Sequence, residues 1–180
     1  MVIINTLFPT QLSKNFSSSE LVSASHPEKG MAYFEFDERL IQIAQFLRDR
    51  IGSPIRINSA YRNKDYNASV GGASNSMHLY GKAIDLSGSG LVSFVQNAYD
   101  KKTSDWYHLV SLGVNGLGIY DSFVHLDTRA GRFAFWSKKK VEGNFEDVNE
   151  GNTNTEKMGW EFPLMILVAL YLVIRKFFFG

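Results

Sequence analysis

The chain has 180 residues, 44% of them hydrophobic and 21% charged, with a formal net charge of +1. That allows one globular domain with a sizeable core plus a smaller appendage, and the even charge balance argues against a nucleic-acid partner held by bulk electrostatics. Cysteine is absent, which excludes disulfides and thiolate zinc sites and leaves His, Asp and Glu as metal ligands.

In chain order, "MVIINTLFPTQLSKNF" has no basic start, no long apolar run and no small-residue cleavage site, so no secretory leader is expected. "FDERLIQIAQFLRDRIG" predicts a helix: Leu40, Ile41, Ile43, Ala44 and Leu47 recur at helical spacing, and Gly52 stops the run. "PIRINSAYR" predicts a strand, with Ile55 and Ile57 alternating. Residues 63–77 are rich in Asn, Ser and Gly and read as an ordered loop. "KAIDLSG" predicts a short strand and "GLVSFVQNAYDKK" a helix; "GVNGLGIYDSFVHLDTR" predicts two short strands around a turn at Asp121-Ser122, and "RFAFW" a last strand. Residues 1–137 therefore read as one α+β domain, a small antiparallel sheet with flanking helices.

From residue 138 the character changes. "KKKVEGNFEDVNEGNTNTEKMG" is polar and poor in packing residues, so 138–159 reads as a linker. Residues 160–180 hold the most apolar stretch, with no charge from 162 to 174. That run is about 13 residues long, against the roughly 20 that a simple membrane span prefers. Snorkelling of Arg175 and Lys176, with Phe177, Phe178 and Phe179 at the interface, lengthens it enough. The run is also apolar on all sides, unlike a core helix with one apolar stripe. We therefore expect a transmembrane helix at 160–180, a single-pass C-terminal anchor whose partner is the lipid membrane; the competing reading is a buried core helix. Arg175 and Lys176 behind the run would place the C-terminus in the cytoplasm and the domain outside. Tail anchoring after cytoplasmic synthesis is the alternative route.

"SNSMHLYGKAIDLSG" holds one of only four histidines. His78 and Asp85 stand seven positions apart, and Gly81 between them lets the chain turn so that both side chains reach one ion. Ile84 and Leu86 flank Asp85, so alternation sends its carboxylate to the opposite face, where an acid on a buried strand needs a cation. Catalytic zinc takes three protein ligands. The third candidate is His125 in "SFVHLDTR", which shares a strand face with Phe123 and Asp127 while Val124 and Leu126 take the other. By spacing alone, a loop histidine, a turn-capping acid and a satisfied core histidine account for the same residues. His26 and His108 read as surface or packing residues.

The order Ser76-x-His78-x-x-Gly81-x-Ala83-x-Asp85, followed by Val124-His125-x-Asp127, resembles the zinc D-alanyl-D-alanine carboxypeptidase family. Many phage endolysins belong to that family, and the hedgehog signalling domain shares its fold. "LSKNFSSSEL" is similar to the family's entry segment, "INSAYRNKDYNASVGGASNS" to its arginine-bearing loop and "RFAFW" to its closing strand, so the likeness runs over residues 11–136. The resemblance implies Zn2+ held by His78, Asp85 and His125, and hydrolysis of peptides of the bacterial cell wall, often at bonds involving D-amino acids. It also implies Arg62 as the catalytic cation, gripping the developing oxyanion or a substrate carboxylate. Ser76, two residues before His78, is a candidate substrate-binding hydroxyl, against a serine that only shapes the loop.

The general base departs from the family pattern. Where some members carry an acid three residues before the last zinc histidine stands Ser122, and where others carry a second histidine two residues before it stands Phe123. Asp127 is the expected base and Asp121 the runner-up; an Asp127 that orients a zinc ligand or pairs with Arg129 is the competing role. A base at 127 predicts that Asp127→Asn keeps zinc and loses hydrolysis. The function expected is a membrane-tethered zinc peptidase acting on peptidoglycan stem peptides, in a bacterial envelope or a phage virion membrane, serving entry or lysis. The alternatives are a zinc-fold module that binds wall peptides without cutting them, and a structural protein of a lipid-containing virion.

Overall fold

The computed structural model describes residues 1–5, 8–22 and 33–138, and the backbone alone of 140–141 and 144–145. Strands β1 (Val2–Asn5) and β2 (Tyr33–Phe36) pair antiparallel in a small sheet of their own. Helix α1 (Arg39–Ile51) follows the apolar periodicity: Leu40, Ile41, Ile43, Ala44 and Leu47 are all buried. Gly52 closes it in the left-handed conformation at φ +70°, its N–H donating to the Arg48 carbonyl. Strand β3 (Ile55–Ser59) follows.

The stretch 63–77, expected as loop, contains a short helix, α2 (Lys64–Ser69). Asn63 caps it, its side-chain oxygen accepting from the Tyr66 N–H at 2.8 Å. A short polar side chain that bonds to nearby backbone favours caps and turns alike, so composition did not separate the two. A 3-10 turn (Met77–Tyr80), β4 (Ala83–Gly88), α3 (Leu91–Asp100) and α4 (Ser104–Ser111) come next. The domain continues through β5 (Gly116–Tyr120), β6 (Val124–Asp127) and β7 (Ala134–Lys138).

Five strands form the main sheet in the order β3-β4-β6-β5-β7. The expected α+β class with a small antiparallel sheet holds, except that β7 runs parallel to β5. The cause is the chain path. Strand β6 ends where β5 begins, so a short connection to the far side of β5 enters β7 in β5's own direction. Asn115 fixes that connection, its side-chain N–H groups donating to the carbonyls of Arg129 at 2.9 Å and Gly131 at 3.0 Å.

One face of the sheet is apolar. Helix α3 lies over β4, β5 and β6, and α1 over β4. There Ile84, Leu86, Leu117, Ile119, Val124 and Leu126 join one buried core with the helix residues. Alternation leaves the opposite face of these strands to the polar residues between them.

Two two-residue strands, β8 (Lys140–Val141) and β9 (Asn144–Phe145), pair antiparallel within the stretch read as a linker. The remainder of that stretch, the anchor read at 160–180 and His26 lie outside the described residues. Among the described residues no helix is long and apolar enough to cross a membrane.

Candidate metal centre

The strand register lays the site in one row across the sheet. Ser59 faces Asp85, Asp85 faces His125, His125 faces Gly118 and Gly118 faces Trp136. The next row sets Ala83 against Asp127, Asp127 against Gly116 and Gly116 against Ala134. Facing pairs on adjacent strands lie about 5 Å apart, so Asp85 and His125 are neighbours although 40 residues separate them in sequence.

His78 arrives from outside the sheet, on the 3-10 turn. Ser76 begins that turn, its hydroxyl oxygen accepting from the His78 N–H at 3.4 Å. Gly81 ends it at φ +60°, and a Cβ there would overlap the Glu35 carbonyl oxygen. Both the backbone angle and the close approach demand glycine, so the residue that returns the chain from His78 to Asp85 has no substitute.

Hydrogen bonds assign the histidine tautomers. His78 Nδ1–H donates to the Ala60 carbonyl at 2.5 Å, and His125 Nε2–H donates to Asp127 Oδ2 at 3.2 Å. His78 Nε2 and His125 Nδ1 then turn their lone pairs inward, 3.2 Å apart. Asp85 Oδ1 lies 3.2 Å from the first and 2.8 Å from the second. Three buried acceptors facing one another repel unless a cation sits among them. Two imidazole nitrogens and a carboxylate oxygen, all within 4.8 Å of one another, form a donor set that fits zinc with one position left for water or substrate. The three expected ligands are therefore brought together.

The protonation tendencies of the two histidines differ. Burial pushes the His78 pKa down, towards the neutral ring a metal needs. At His125 burial acts the same way, but Asp127 and Asp85 on either side outweigh it and raise the pKa. Burial alone would raise Asp85; its close contacts with His125 and His78 overcome it and hold the group well below the usual carboxylate range.

The other candidates surround this triad. Arg62 Nη2 donates to Asp85 Oδ2 at 2.6 Å and its Nε to Ser59 Oγ at 2.7 Å, so it fixes the outer oxygen of a ligand while lining the cleft. Asp127 is fully buried behind His125. Arg129 grips it, Nε to Oδ1 at 2.8 Å and Nη2 to Oδ2 at 2.5 Å. Burial would raise the Asp127 pKa, but the bonds from His125 and Arg129 bring it down to about 2. Asp121 and Ser122 are exposed in the β5–β6 turn, and Phe123 stacks on Tyr120 with ring centroids 4.1 Å apart. His108 packs on Phe46, 4.4 Å between centroids, and lines a different cavity from the triad's cleft.

A cleft of about 640 Å³ opens over the triad, with Arg62, Tyr66, Ser76, Tyr120, Arg129 and Trp136 in its walls. Sequence reasoning missed several supports. Gly116 leaves room for Asp127, whose carboxylate a Cβ there would overlap. Gly118 leaves room for the Trp136 indole, which a Cβ would approach to 2.5 Å at Nε1. The indole then reaches over the strand to His125, 5.0 Å between centroids, and donates to the Tyr120 hydroxyl at 3.0 Å. The alternating glycines of "GLGIY" were the available signal, since glycine inside a strand marks a close approach.

Comparison with known proteins accords with this geometry. A family model for Peptidase M15 matches residues 14–127. The zinc D-Ala-D-Ala carboxypeptidase of Streptomyces albus G is 35% identical over 94 residues. That match spans 52% of this chain and 34% of the Streptomyces protein, so the likeness covers about a third of the relative's length.

Proposed function

The chain belongs to the Peptidase M15 family, and we propose on that premise that its domain is a zinc metallopeptidase hydrolysing peptides of the bacterial cell wall. The observation that carries this reading is the convergence of His78 Nε2, Asp85 Oδ1 and His125 Nδ1 on one point at the floor of a cleft. The name and 35% identity of the Streptomyces carboxypeptidase support the metal and the substrate class.

The chemistry supplied by a zinc held there is polarisation of the scissile carbonyl and activation of water near neutral pH. The chain's own residues prepare the rest. Ala60 and Asp127 each accept from one ring nitrogen and so turn the other nitrogen of each imidazole inward. Arg62 anchors Asp85 through one oxygen, leaving the other for the metal, and offers a permanent cation to the oxyanion or a substrate carboxylate. Ser76 stands in the wall beside His78, placed to bond the substrate backbone.

Asp127 has both oxygens engaged and no exposed surface, which favours orientation of His125 over proton transfer. Asp121, exposed in the turn that carries Tyr120 and Phe123 of the cleft wall though not itself lining the cleft, is then the acid proposed for the proton. A second reading draws on the same region: among the described residues lining the cleft, Asp85 is the one carboxylate, as suits a module that holds wall peptides without cutting them.

Beyond the domain, we propose that 138–159 is a tether and 160–180 a membrane anchor, on the strength of the uncharged run from 162 to 174. A tethered peptidase of this kind fits a bacterial envelope or a lipid-containing phage virion. Retention of the full chain in washed vesicles, and its loss on truncation at 159, tests the anchor.

The functional test is incubation of the zinc-loaded protein with purified peptidoglycan, with and without a chelator. Chelator-sensitive release of peptides is expected, and their masses identify the bond. Zinc binding without any release would replace the peptidase with the wall-binding module.

A further inference from the structure

Arg62 has a counterpart on the other side of the triad. Contacts run in a chain from Arg62 through Asp85, His125 and Asp127 to Arg129. Arg62 stands at the β3 side of the sheet, bonded to Ser59. Arg129 stands towards the β7 edge, its guanidinium carbon 5.5 Å from the centre of the Trp136 ring. Each guanidinium is clamped by an aspartate, and each lines the cleft.

Arg129 is the more accessible of the two, with 28% of its side chain exposed against 15% for Arg62. Its Nε and Nη2 are committed to Asp127. The Nη1 edge makes none of these bonds. Arginine has five donors in a rigid fork, so a carboxylate that binds one side aims the other. A guanidinium already held by Asp127 and faced by Trp136 loses little freedom on meeting an anion. The surrounding walls favour one: Arg62, Arg129 and Lys138 line the cleft with Asp85 as the one lining acid among the described residues, and a metal at the triad adds positive charge.

We infer that Arg129 is a second anion-binding arm of the cleft, taking a free carboxylate of the peptide substrate on the Trp136 side of the triad, opposite Arg62. This rests on the peptidase reading for the kind of ligand and extends it to specificity: peptides carrying that carboxylate are selected over their amides.

The test measures equilibrium binding of the zinc-loaded full-length protein to an uncleavable ketomethylene analogue of a D-alanine-terminated wall peptide. Analogues in which each carboxylate in turn is a carboxamide are compared with the parent. One charge-assisted pair corresponds to about tenfold in affinity, so the unaltered protein is expected to lose that much on one particular amidation. Arg129→Gln should bind the free acid about tenfold more weakly and no longer distinguish it from that amide, while Arg129→Lys keeps part of the preference. If Arg129→Gln weakens acid and amide equally, the guanidinium serves only to hold Asp127, and the inference is overturned. An unchanged acid-to-amide ratio, or no binding of the parent analogue at all, overturns it too. Cleavage of the natural peptide is scored separately: a protein that binds with this preference but never cuts refutes the peptidase and leaves the anion-binding arm standing.

Discussion

Asp37-Glu38-Arg39 and Asp127-Thr128-Arg129 fold into the same local unit. In each, the arginine N–H donates to the aspartate Oδ1, at 3.2 Å and 3.1 Å. In each, Nε and Nη2 grip the carboxylate, with Nη2 to Oδ2 at 2.5 Å. They differ in the third partner. Asp37 accepts from the Thr128 hydroxyl at 2.7 Å, joining the β2–α1 corner to the end of β6. Asp127 accepts from His125, and so sets the ring that faces the metal position. Local sequence makes an Asp-x-Arg pair; the neighbour that tertiary structure delivers decides whether the pair braces the fold or tunes a ligand.

Loss of a ligand should have the largest effect. His125→Ala should abolish stoichiometric zinc binding and hydrolysis together, since two ligands do not make a catalytic site; metal content by elemental analysis and peptide release are the readouts. Asp127→Asn comes next. A group that orients a ligand changes metal affinity about 10–100-fold, so hydrolysis by this variant should be low at limiting zinc and recover when zinc is in excess. A general base at 127 would leave hydrolysis lost at saturating zinc, which a zinc titration of the rate distinguishes.

The matching change in the other unit should act on stability instead. Asp37→Asn leaves buried partners poorly satisfied and is expected to cost about 1–3 kcal/mol, read by denaturant unfolding, with activity per folded molecule unchanged. Its acid dependence follows from the native carboxyl. Burial would raise the Asp37 pKa, but bonds from Arg39 and Thr128 depress it to about 2. The unfolded value is about 3.9. The stabilisation is therefore complete above the unfolded value and is lost as the pH falls from about 4 towards 2. The unfolding midpoint of Asp37→Asn should accordingly fall less steeply than the native chain's over that window.

The smallest effect belongs to Arg39→Gln. Nearly half of the Arg39 side chain is exposed, and exposed pairs contribute within about 1 kcal/mol. A loss of metal affinity in Arg39→Gln would mean that the two units are coupled through Thr128, and that the division between brace and tuner is wrong.

Much of the site was legible in the sequence because its signals are local. Glycine between His78 and Asp85 announces a turn that only glycine can make, and the apolar neighbours of Asp85 and His125 fix which way those side chains point. The role of Asp127 was harder to read. Alternation places it on the face of His125, where a base and an orienting acid look the same; the difference is whether its oxygens reach the cleft, and that depends on Arg129 and on the space left by Gly116. Helix α2 escaped because its capping asparagine is also a loop residue.

The sequence alone determined α1, α3 and the strands of the main sheet with their buried faces, and it offered His78, Asp85 and His125 as ligand candidates that the family resemblance singled out, since periodicity of 2 or 3.6 residues and the needs of a buried charge are properties of short segments. Tertiary structure alone decided which residues share a row. Strand register set Ser59, Asp85, His125, Gly118 and Trp136 on one line, and the short return from β6 made β7 parallel to β5. Those pairings depend on contacts between segments far apart in the chain, which no local pattern encodes.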